Sequence, residues 1–501
     1  MKLNLFNFFK EGKDLANINK INLLTILKDN ENQALGIKYN FKEIKDIKDY
    51  QNKVPLSQYE DYRNGNPSVY PVVCTLLTSG TSGRSKKIFL TAEALRRYDS
   101  LIVDMPMYLL NCPAGPSLHT GVFYKDETET ILSSAYYCHL CDTHRLDIKD
   151  YVDGRLMFFK EPYCSSYVKL RYALACEKLI SIQSIYLYEI GALLGYLEKH
   201  WRLLIKDMED QQCSIDLPQG IKEEVARISI SKARIKFLKI QFERSQGIPS
   251  LNIIWPHLAY ISGIGHAQDS CVLQLKEYSK EIPIYYFAYA SSECMCGIAT
   301  QLEDDTYQLL PQNAFYEFID EQENSYLPHE VIKGHTYELV ITTFNGLYRY
   351  KTGDQLYIVE NQEGNPRFRV LGRKNMLLNI TGERVDEWTI RQALFQTLQQ
   401  LKKKNSYFMI AEDRRSYPFR YLAVTDLPSD TLALAATVFD QKLQSLNPNY
   451  KKIRERNLIA KPHFLYQRNT YARKEKLQMK PSLILKEEEL LSFLALEEAY
   501  A

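Results

Sequence analysis

The chain lacks what would place it in a membrane, on nucleic acid or in a disulfide-stapled secreted fold. No apolar run approaches the roughly 18 residues of a membrane span. The N-terminus, Met1-Lys2-Leu3-Asn4-Leu5-Phe6-Asn7-Phe8-Phe9-Lys10, is broken by Asn and Lys and has no signal-peptide core. Its apolar residues predict a helical stripe packed on the body. Excess charge is missing too: 63 Lys and Arg against 61 Asp and Glu leave a net charge of +2, which offers no bulk attraction for nucleic acid. Ten cysteines are scattered without framework spacing, which points to reduced thiols and a cytoplasmic setting. Internal repeats, low-complexity tracts and Pro/Gly linkers are absent.

What is present is a long, ordinary globular composition. The 501 residues are 45% hydrophobic and 25% charged, enough for about two to four domains with a large core. Tyrosine is over-used, at 36 residues, which suits half-buried strands and pockets but names no ligand. Apolar strand-like runs alternate with helical patterns, which predicts an α/β fold. Residues 167–209 read as a long helical stretch, with a second apolar-faced helix over 186–204, and 221–240 as an amphipathic basic helix. Leu251 to Ile264 and Ile282 to Ala290 read as buried strands. Tyr337 to Phe344 and Gln355 to Glu360 read as paired strands flanking a turn, and Arg367 to Gly372 as a further strand. After Gly372 the texture becomes α+β, with helices near 386–403, 430–446 and 485–497. The expected organisation is therefore a large N-terminal α/β domain over 1–372 and a small C-terminal α+β domain over 373–501.

The chemistry-bearing segments begin with Thr75-Leu76-Leu77-Thr78-Ser79-Gly80-Thr81-Ser82-Gly83-Arg84-Ser85-Lys86-Lys87. Gly80 and Gly83 let backbone N–H groups turn toward an anion, the four hydroxyls around them (Thr78, Ser79, Thr81, Ser82) add neutral donors, and Lys86 and Lys87 offset charge. That describes a phosphate cradle. The Gly-Lys-Ser/Thr ending of Walker A is missing, so an ordinary P-loop nucleotidase is disfavoured. The plain alternative is a surface Gly/Ser loop.

Four more segments extend it. Tyr289-Ala290-Ser291-Ser292-Glu293 follows a strand, where α/β sheets place ligands. An aromatic ring there can stack on a base and a carboxylate can hold Mg2+; the plain alternative is a strand end leading into a serine-capped helix. In Tyr350-Lys351-Thr352-Gly353-Asp354 the carboxylate after a glycine turn can accept from two hydroxyls; otherwise it is a hairpin turn. Gly372-Arg373, opening a segment that runs to Val385, puts a guanidinium at the domain boundary, or is a linker and hairpin. Gln478-Met479-Lys480-Pro481 puts a lysine on the small domain, or is a solvated loop. Cys138-His139-Leu140-Cys141 with His144 hints at zinc, but a second ligand pair is missing and helical packing is the stronger reading. His266 is a candidate base for an incoming ammonium, equally well a polar strand-end residue.

Taken together these segments resemble the adenylate-forming superfamily, and more narrowly the auxin-responsive Gretchen Hagen family of acyl acid amido synthetases. Leu77-Thr78-Ser79-Gly80-Thr81-Ser82-Gly83, Ile254-Trp255-Pro256, Gly265-His266-Ala267-Gln268, Ala290-Ser291-Ser292-Glu293-Cys294, Leu310-Pro311-Gln312-Asn313, Gly346-Leu347-Tyr348-Arg349-Tyr350 and Leu446-Asn447-Pro448 carry the resemblance in order along the chain. Two positions depart from it: Thr352 stands where plant members carry Val, and Ser482 follows Lys480-Pro481 where the family has Arg.

The resemblance implies a fold of adenylate-forming type with a mobile C-terminal domain, ATP and Mg2+ as cofactors, and a two-step reaction. A carboxylic acid attacks the α-phosphorus of ATP, giving acyl-AMP and pyrophosphate; an amine, typically an amino acid, then attacks the acyl carbon and expels AMP. It also implies roles. Ser79, Gly80, Thr81, Ser82 and Gly83 would hold the β- and γ-phosphates, Glu293 the metal, and Tyr289 the adenine beside Ala290. Ser291 and Ser292 would line the α-phosphate, and Asp354 the ribose with Arg373 assisting. Lys480 would be the swinging lysine, with Lys474 and Lys476 as alternatives. An acid–CoA ligase, a protein nucleotidyltransferase and a silent ATP-binding protein remain rival readings.

Overall fold

The computed structural model describes residues 2–63, 65, 68–77, 86–121, 123, 128–157, 166–361, 363–374, 376–403, 406–415, 417–467, 483–486 and 488–489. Two sheets organise its large domain. The first is parallel and four-stranded, with strands Ser117–His119, Ser181–Tyr186, Tyr260–Ile264 and Ile284–Tyr285 in that spatial order. Such strands are covered on both faces and read as continuous rather than alternating runs. Helix Leu187–Glu209 covers this sheet because Leu187, Ile190, Leu194, Leu197, Trp201, Leu204, Ile205 and Met208 recur at three-to-four spacing and are all buried.

The second sheet has eight strands. Their order is Ser325–Tyr326, Ala314–Ile319, Thr336–Thr343, Tyr350–Glu360, Arg367–Arg373, Thr306–Leu309, Met295–Ile298 and Ala288–Ala290. Every neighbouring pair is antiparallel. The N-terminal helices Lys2–Lys13 and Leu15–Asp29 pack on its core through Phe8, Leu15, Leu23, Ile26 and Leu27. Two buried asparagines pin the second of these helices. Asn19 Nδ2 donates to Tyr316 O at 2.9 Å, and Asn22 Nδ2 to Pro311 O at 2.7 Å and Ala314 O at 2.9 Å.

Several sequence expectations are corrected. The helical stretch over 167–209 is two helices, Ser166–Ala175 and Leu187–Glu209, separated by strand Ser181–Tyr186. That strand is buried along Ser181 to Ile185, so its β-branched residues serve a two-faced parallel sheet rather than a helical stripe. The basic helix over 221–240 is also two, Gln219–Ala226 and Lys232–Ser245. The strand expected over Leu251 to Ile264 begins with a short helix, Leu251–Ile254. The single strand expected over Ile282 to Ala290 is split: the chain leaves the parallel sheet at Tyr285 and joins the antiparallel one at Ala288. That crossover sets Tyr289 to Glu293 at the junction of the two sheets.

The smaller C-terminal domain has its own core, built around Leu378, Val385, Ile390, Leu394, Tyr421, Phe439 and Phe464. Helices Glu387–Gln400, Leu432–Leu446 and Pro448–Glu455 pack with a sheet of Phe408–Asp413, Arg420–Thr425 and His463–Tyr466. The helix expected near 485–497 falls almost wholly outside the described residues. The two domains meet firmly on one side. Arg391 pairs with Asp269, and Ser270 Oγ donates to Ser406 O at 2.9 Å. Leu273 packs on the small-domain core, and the Arg369 guanidinium lies 5.9 Å from the Trp388 ring centroid. Among the described residues no helix is long and apolar enough to cross a membrane.

Candidate active site

Strand Tyr350–Glu360 does not simply turn at Gly353. Its pairing with Thr336–Thr343 runs Glu338 to Gln355 and then Val340 to Lys351, so Thr352, Gly353 and Asp354 together face Leu339. The glycine turn expected from sequence is thus a bulge inside a strand, a device that re-aims a side chain without ending the ladder. Gly353 has φ +80 and supplies the left-handed residue. Thr352 Oγ1 donates to Leu339 O at 2.9 Å and accepts from Asp354 N at 3.2 Å, and Lys374 N donates to Gly353 O at 2.8 Å. The result is a fixed carboxylate, with Asp354 only 9% exposed.

On the other side of this strand Asp354 lies directly across from Arg373 in the ladder with Arg367–Arg373. Arg373 Nε stands 3.4 Å from Asp354 Oδ1. Tyr289 Oη donates to Asp354 Oδ2 at 2.7 Å. The Tyr289 ring is buried edge-on against Phe368, with centroids 5.7 Å apart. Glu293, also buried, accepts from Tyr350 Oη at Oε1, 3.1 Å away. Burial and then the neighbouring carboxylate push both phenols well above their ordinary range, so both remain donors.

Ser291 and Ser292 form the turn between strands Ala288–Ala290 and Met295–Ile298, closed by Ser291 N donating to Cys294 O at 3.0 Å. From this turn the chain enters a strand, not the serine-capped helix that the plain alternative expects. The strand that leads into the glycine-rich loop, Val72–Leu77, pairs with Lys87–Thr91 beyond it. The loop residues Ser79, Gly80, Thr81, Ser82 and Gly83 lie outside the described residues, as do Lys474, Lys476 and Lys480. A cavity of about 820 Å³ opens between the domains. Tyr59, Lys86, Tyr350 and Gly353 line it from the large domain, Arg414 and Lys486 from the small one, and Arg373 where the two join.

Profiles of known families decide where this arrangement belongs. The GH3 family N-terminal domain matches residues 5–284, and the GH3 family central domain residues 307–373. The chain belongs to the GH3 family. Indole-3-acetic acid-amido synthetase GH3.5 of Arabidopsis thaliana is 23% identical over 473 residues, 83% of this chain and 77% of that protein. GH3.3 of the same plant, also an indole-3-acetic acid-amido synthetase, is 26% identical over 413 residues, 74% and 69% of the two chains. The solved structure of AtGH3.15 acyl acid amido synthetase in complex with 2,4-DB superposes with a TM-score of 0.81 at 20% identity, covering 98% of this chain and 95% of that one. A 2-hydroxyisobutyryl-CoA ligase in the postadenylation state gives 0.57 at 14% identity, covering 97% and 91%. The fold is that of the adenylate-forming enzymes.

Several supports of this GH3 site were not legible as site residues. Asn345 links two segments far apart in sequence: its Oδ1 accepts from Thr91 N at 2.9 Å and its Nδ2 donates to Glu293 O at 3.2 Å. Arg349 is a buried hub under the Asp354 strand. It pairs with Glu317 at 3.2 Å and donates to Gln51 O, Val54 O and Ser325 Oγ. Ser57 bonds backbone on both sides of Tyr350, through Arg349 O and Lys351 N. Tyr59 Oη accepts from Lys87 N at 3.0 Å, and Lys86 Nζ sits 5.2 Å from the Tyr59 ring centroid. The Tyr-rich run before Gly353 and the segment Tyr59-Glu60-Asp61-Tyr62 are the parts of this scaffold with a signal in the sequence.

The rival constellations do not assemble. Among the described residues no group of three or more His, Cys, Asp or Glu is placed to hold a metal ion, so Cys138, His139, Cys141 and His144 are not gathered as a zinc site. Cys294 and Cys296 are buried free thiols. Their mutual hydrogen bond, then burial, push the Cys296 thiol up, away from nucleophilic use. His266 sits at the domain contact, its Nδ1 3.8 Å from Asp305 Oδ2.

Proposed function

We propose that this GH3 chain is an ATP-dependent acyl acid amido synthetase that activates a small carboxylic acid as acyl-AMP and transfers the acyl group to an amine, an amino acid in the first instance. The observation that carries this reading is the meeting of Asp354, Arg373, Glu293 and their two tyrosines beside an interdomain cavity of about 820 Å³.

The family resemblance supports the following roles, and for Asp354, Arg373, Tyr289 and Glu293 so does their meeting. Asp354, an anionic acceptor on a rigid strand, holds the ribose hydroxyls; Arg373 faces it and assists. Tyr289 packs at the adenine beside Ala290 and orients Asp354. Ser291 and Ser292, in the turn above, donate to the α-phosphate. The 79–83 loop takes the β- and γ-phosphates and then pyrophosphate, with Lys86 at its end. Glu293 is a hard oxygen donor in a buried, tethered position, which fits one protein ligand of Mg2+, the phosphates and water supplying the rest. When bound, that ion supplies charge neutralisation for the approach of a carboxylate to a polyphosphate. Lys480, or Lys474 or Lys476, enters from the small domain. We place the domain boundary after residue 372 and infer that the small domain moves between the two half-reactions. The reduced thiols fit a cytoplasmic enzyme, with neither nucleic acid nor membrane as partner.

Mass spectrometry of products tests the reading. ATP, Mg2+ and an acid panel, offered amino acids in one arm and CoA in the other, should give amide and AMP in the first arm only. A thioester in the second arm makes the chain an acid–CoA ligase. AMP appearing on a protein instead makes it a nucleotidyltransferase.

A further inference from the structure

Two five-residue segments build the nucleotide end of this site, and each has the form Tyr-x-x-x-acid: Tyr289 to Glu293 and Tyr350 to Asp354. They come from strands that are not neighbours in the sheet, Ala288–Ala290 at one edge and Tyr350–Glu360 near the middle. The hydrogen bonds between them cross over. The tyrosine that opens the first segment donates to the acid that closes the second, Tyr289 Oη to Asp354 Oδ2 at 2.7 Å. The tyrosine that opens the second donates to the acid that closes the first, Tyr350 Oη to Glu293 Oε1 at 3.1 Å. All four residues are buried, at 8%, 9%, 2% and 6% exposure in the order Tyr289, Asp354, Tyr350, Glu293.

We propose that Tyr289 and Tyr350 are positioning residues whose reciprocal hydroxyl ties lock the two carboxylates into one preorganised unit, so that ribose binding at Asp354 and metal binding at Glu293 are coupled. The inference rests on the nucleotide-site reading above and assigns the hydroxyls a task that ring packing at adenine does not need. A carboxylate held on one oxygen by a buried phenol keeps its other oxygen aimed, and little ordering remains to be done when the nucleotide arrives. Each tie joins the side chain of one segment to that of the other, and both tyrosines are anchored in strands of the same sheet. Loosening one tie therefore frees a residue of each segment.

Binding of a fluorescent ATP analogue, without acid or amine, isolates this step. Tyr289→Phe and Tyr350→Phe each remove one hydroxyl and keep the ring. Tyr289→Phe should weaken nucleotide binding about tenfold, about 1.4 kcal/mol, and should also raise the Mg2+ concentration at half-saturation, although it does not touch Glu293. Tyr350→Phe should do the converse. The double variant should lose less than the product of the two single losses, and Tyr289→Phe should cost nothing further in an Asp354→Asn background. Independent, multiplicative losses would overturn the coupling. So would losses that persist in Asp354→Asn together with a lowered melting temperature, which is the mark of a purely structural tyrosine. Parent-like binding by both variants would leave the hydroxyls idle and overturn it as well. If the parent itself fails to bind ATP, the enzymatic reading fails first.

Discussion

Asp354 and Arg373 face each other across two antiparallel strands, and their side chains meet at 3.4 Å. The pair is lopsided: the Arg373 side chain is 37% exposed and that of Asp354 12%. An ion pair with one solvated partner contributes only about 0–1 kcal/mol. In the proposed ribose role Arg373 would yield its place on Asp354 at small cost, while Asp354 stays fixed by the bulge and by Tyr289.

Asp354→Ala should therefore weaken nucleotide binding and leave the fold intact. Charged hydrogen bonds of about 1.5–3 kcal/mol each disappear, so affinity should fall at least about tenfold while the melting temperature moves little. Isothermal titration with ATP and Mg2+, alongside a melting curve, checks this. A variant that melts early would make Asp354 a structural residue.

Gly372 is a second point of sensitivity. Its φ is +122, and an added Cβ would lie 2.9 Å from the Glu387 Cβ at the start of the first small-domain helix. Gly372→Ala is expected to cost about 1–3 kcal/mol and to push that helix off the strand. Urea unfolding followed by tryptophan fluorescence would register it, since Trp388 lies beside Glu387. Unchanged unfolding would show that the contact yields freely.

The Asp269–Arg391 pair joins the domains, with Arg391 also bonded to Glu387 and both partners largely buried. Leaving one buried charge unpaired costs about 3–5 kcal/mol. Arg391→Met should accordingly release the small domain and enlarge the radius of gyration in small-angle scattering. An identical scattering curve would mean that the apolar contacts at Leu273 hold the domains without the pair.

Asp413 gives a pH prediction. Hydrogen bonds from Arg415 and then Arg420, against the opposing effect of burial, hold its carboxyl at about 2. A depressed carboxylate stabilises the fold above its unfolded value, near 3.9, and that contribution is lost as pH falls toward about 2. Between about pH 4 and 2, Asp413→Asn should flatten the stability profile measured by melting temperature. A parallel profile would show that the arginines do not act through this carboxylate.

The segments that the sequence singled out around Tyr289 and Tyr350 meet in the structure, while much of the scaffold that joins them has no local signal. Tyr289 to Glu293 and Tyr350 to Asp354 stand out in the sequence because aromatic, hydroxyl and acid residues are grouped closely in each. Strand Ser181–Tyr186 was hidden because a strand buried on both faces has no alternation to set it apart from a helix interior. The supporting bonds of Asn345, Arg349 and Asn19 were invisible for another reason: each reaches backbone or side chains that lie hundreds of residues away, even where, as for Arg349, the residue stands in a recognisable segment. No local pattern records such a bond. The bulge at Gly353 looked like a turn, since a positive-φ glycine serves either, and only the register with Thr336–Thr343 distinguishes them.

Acid-dependent release of pyrophosphate from ATP and Mg2+ is the decisive assay for amide synthesis through an acyl-adenylate, run against aryl, indole and fatty acids with hydroxylamine as a generic amine. An amido synthetase should release pyrophosphate with one class of acid, give a hydroxamate product, and lose both in Asp354→Ala. ATP binding without release for any acid would contradict that activity and leave a nucleotide-binding protein with another purpose.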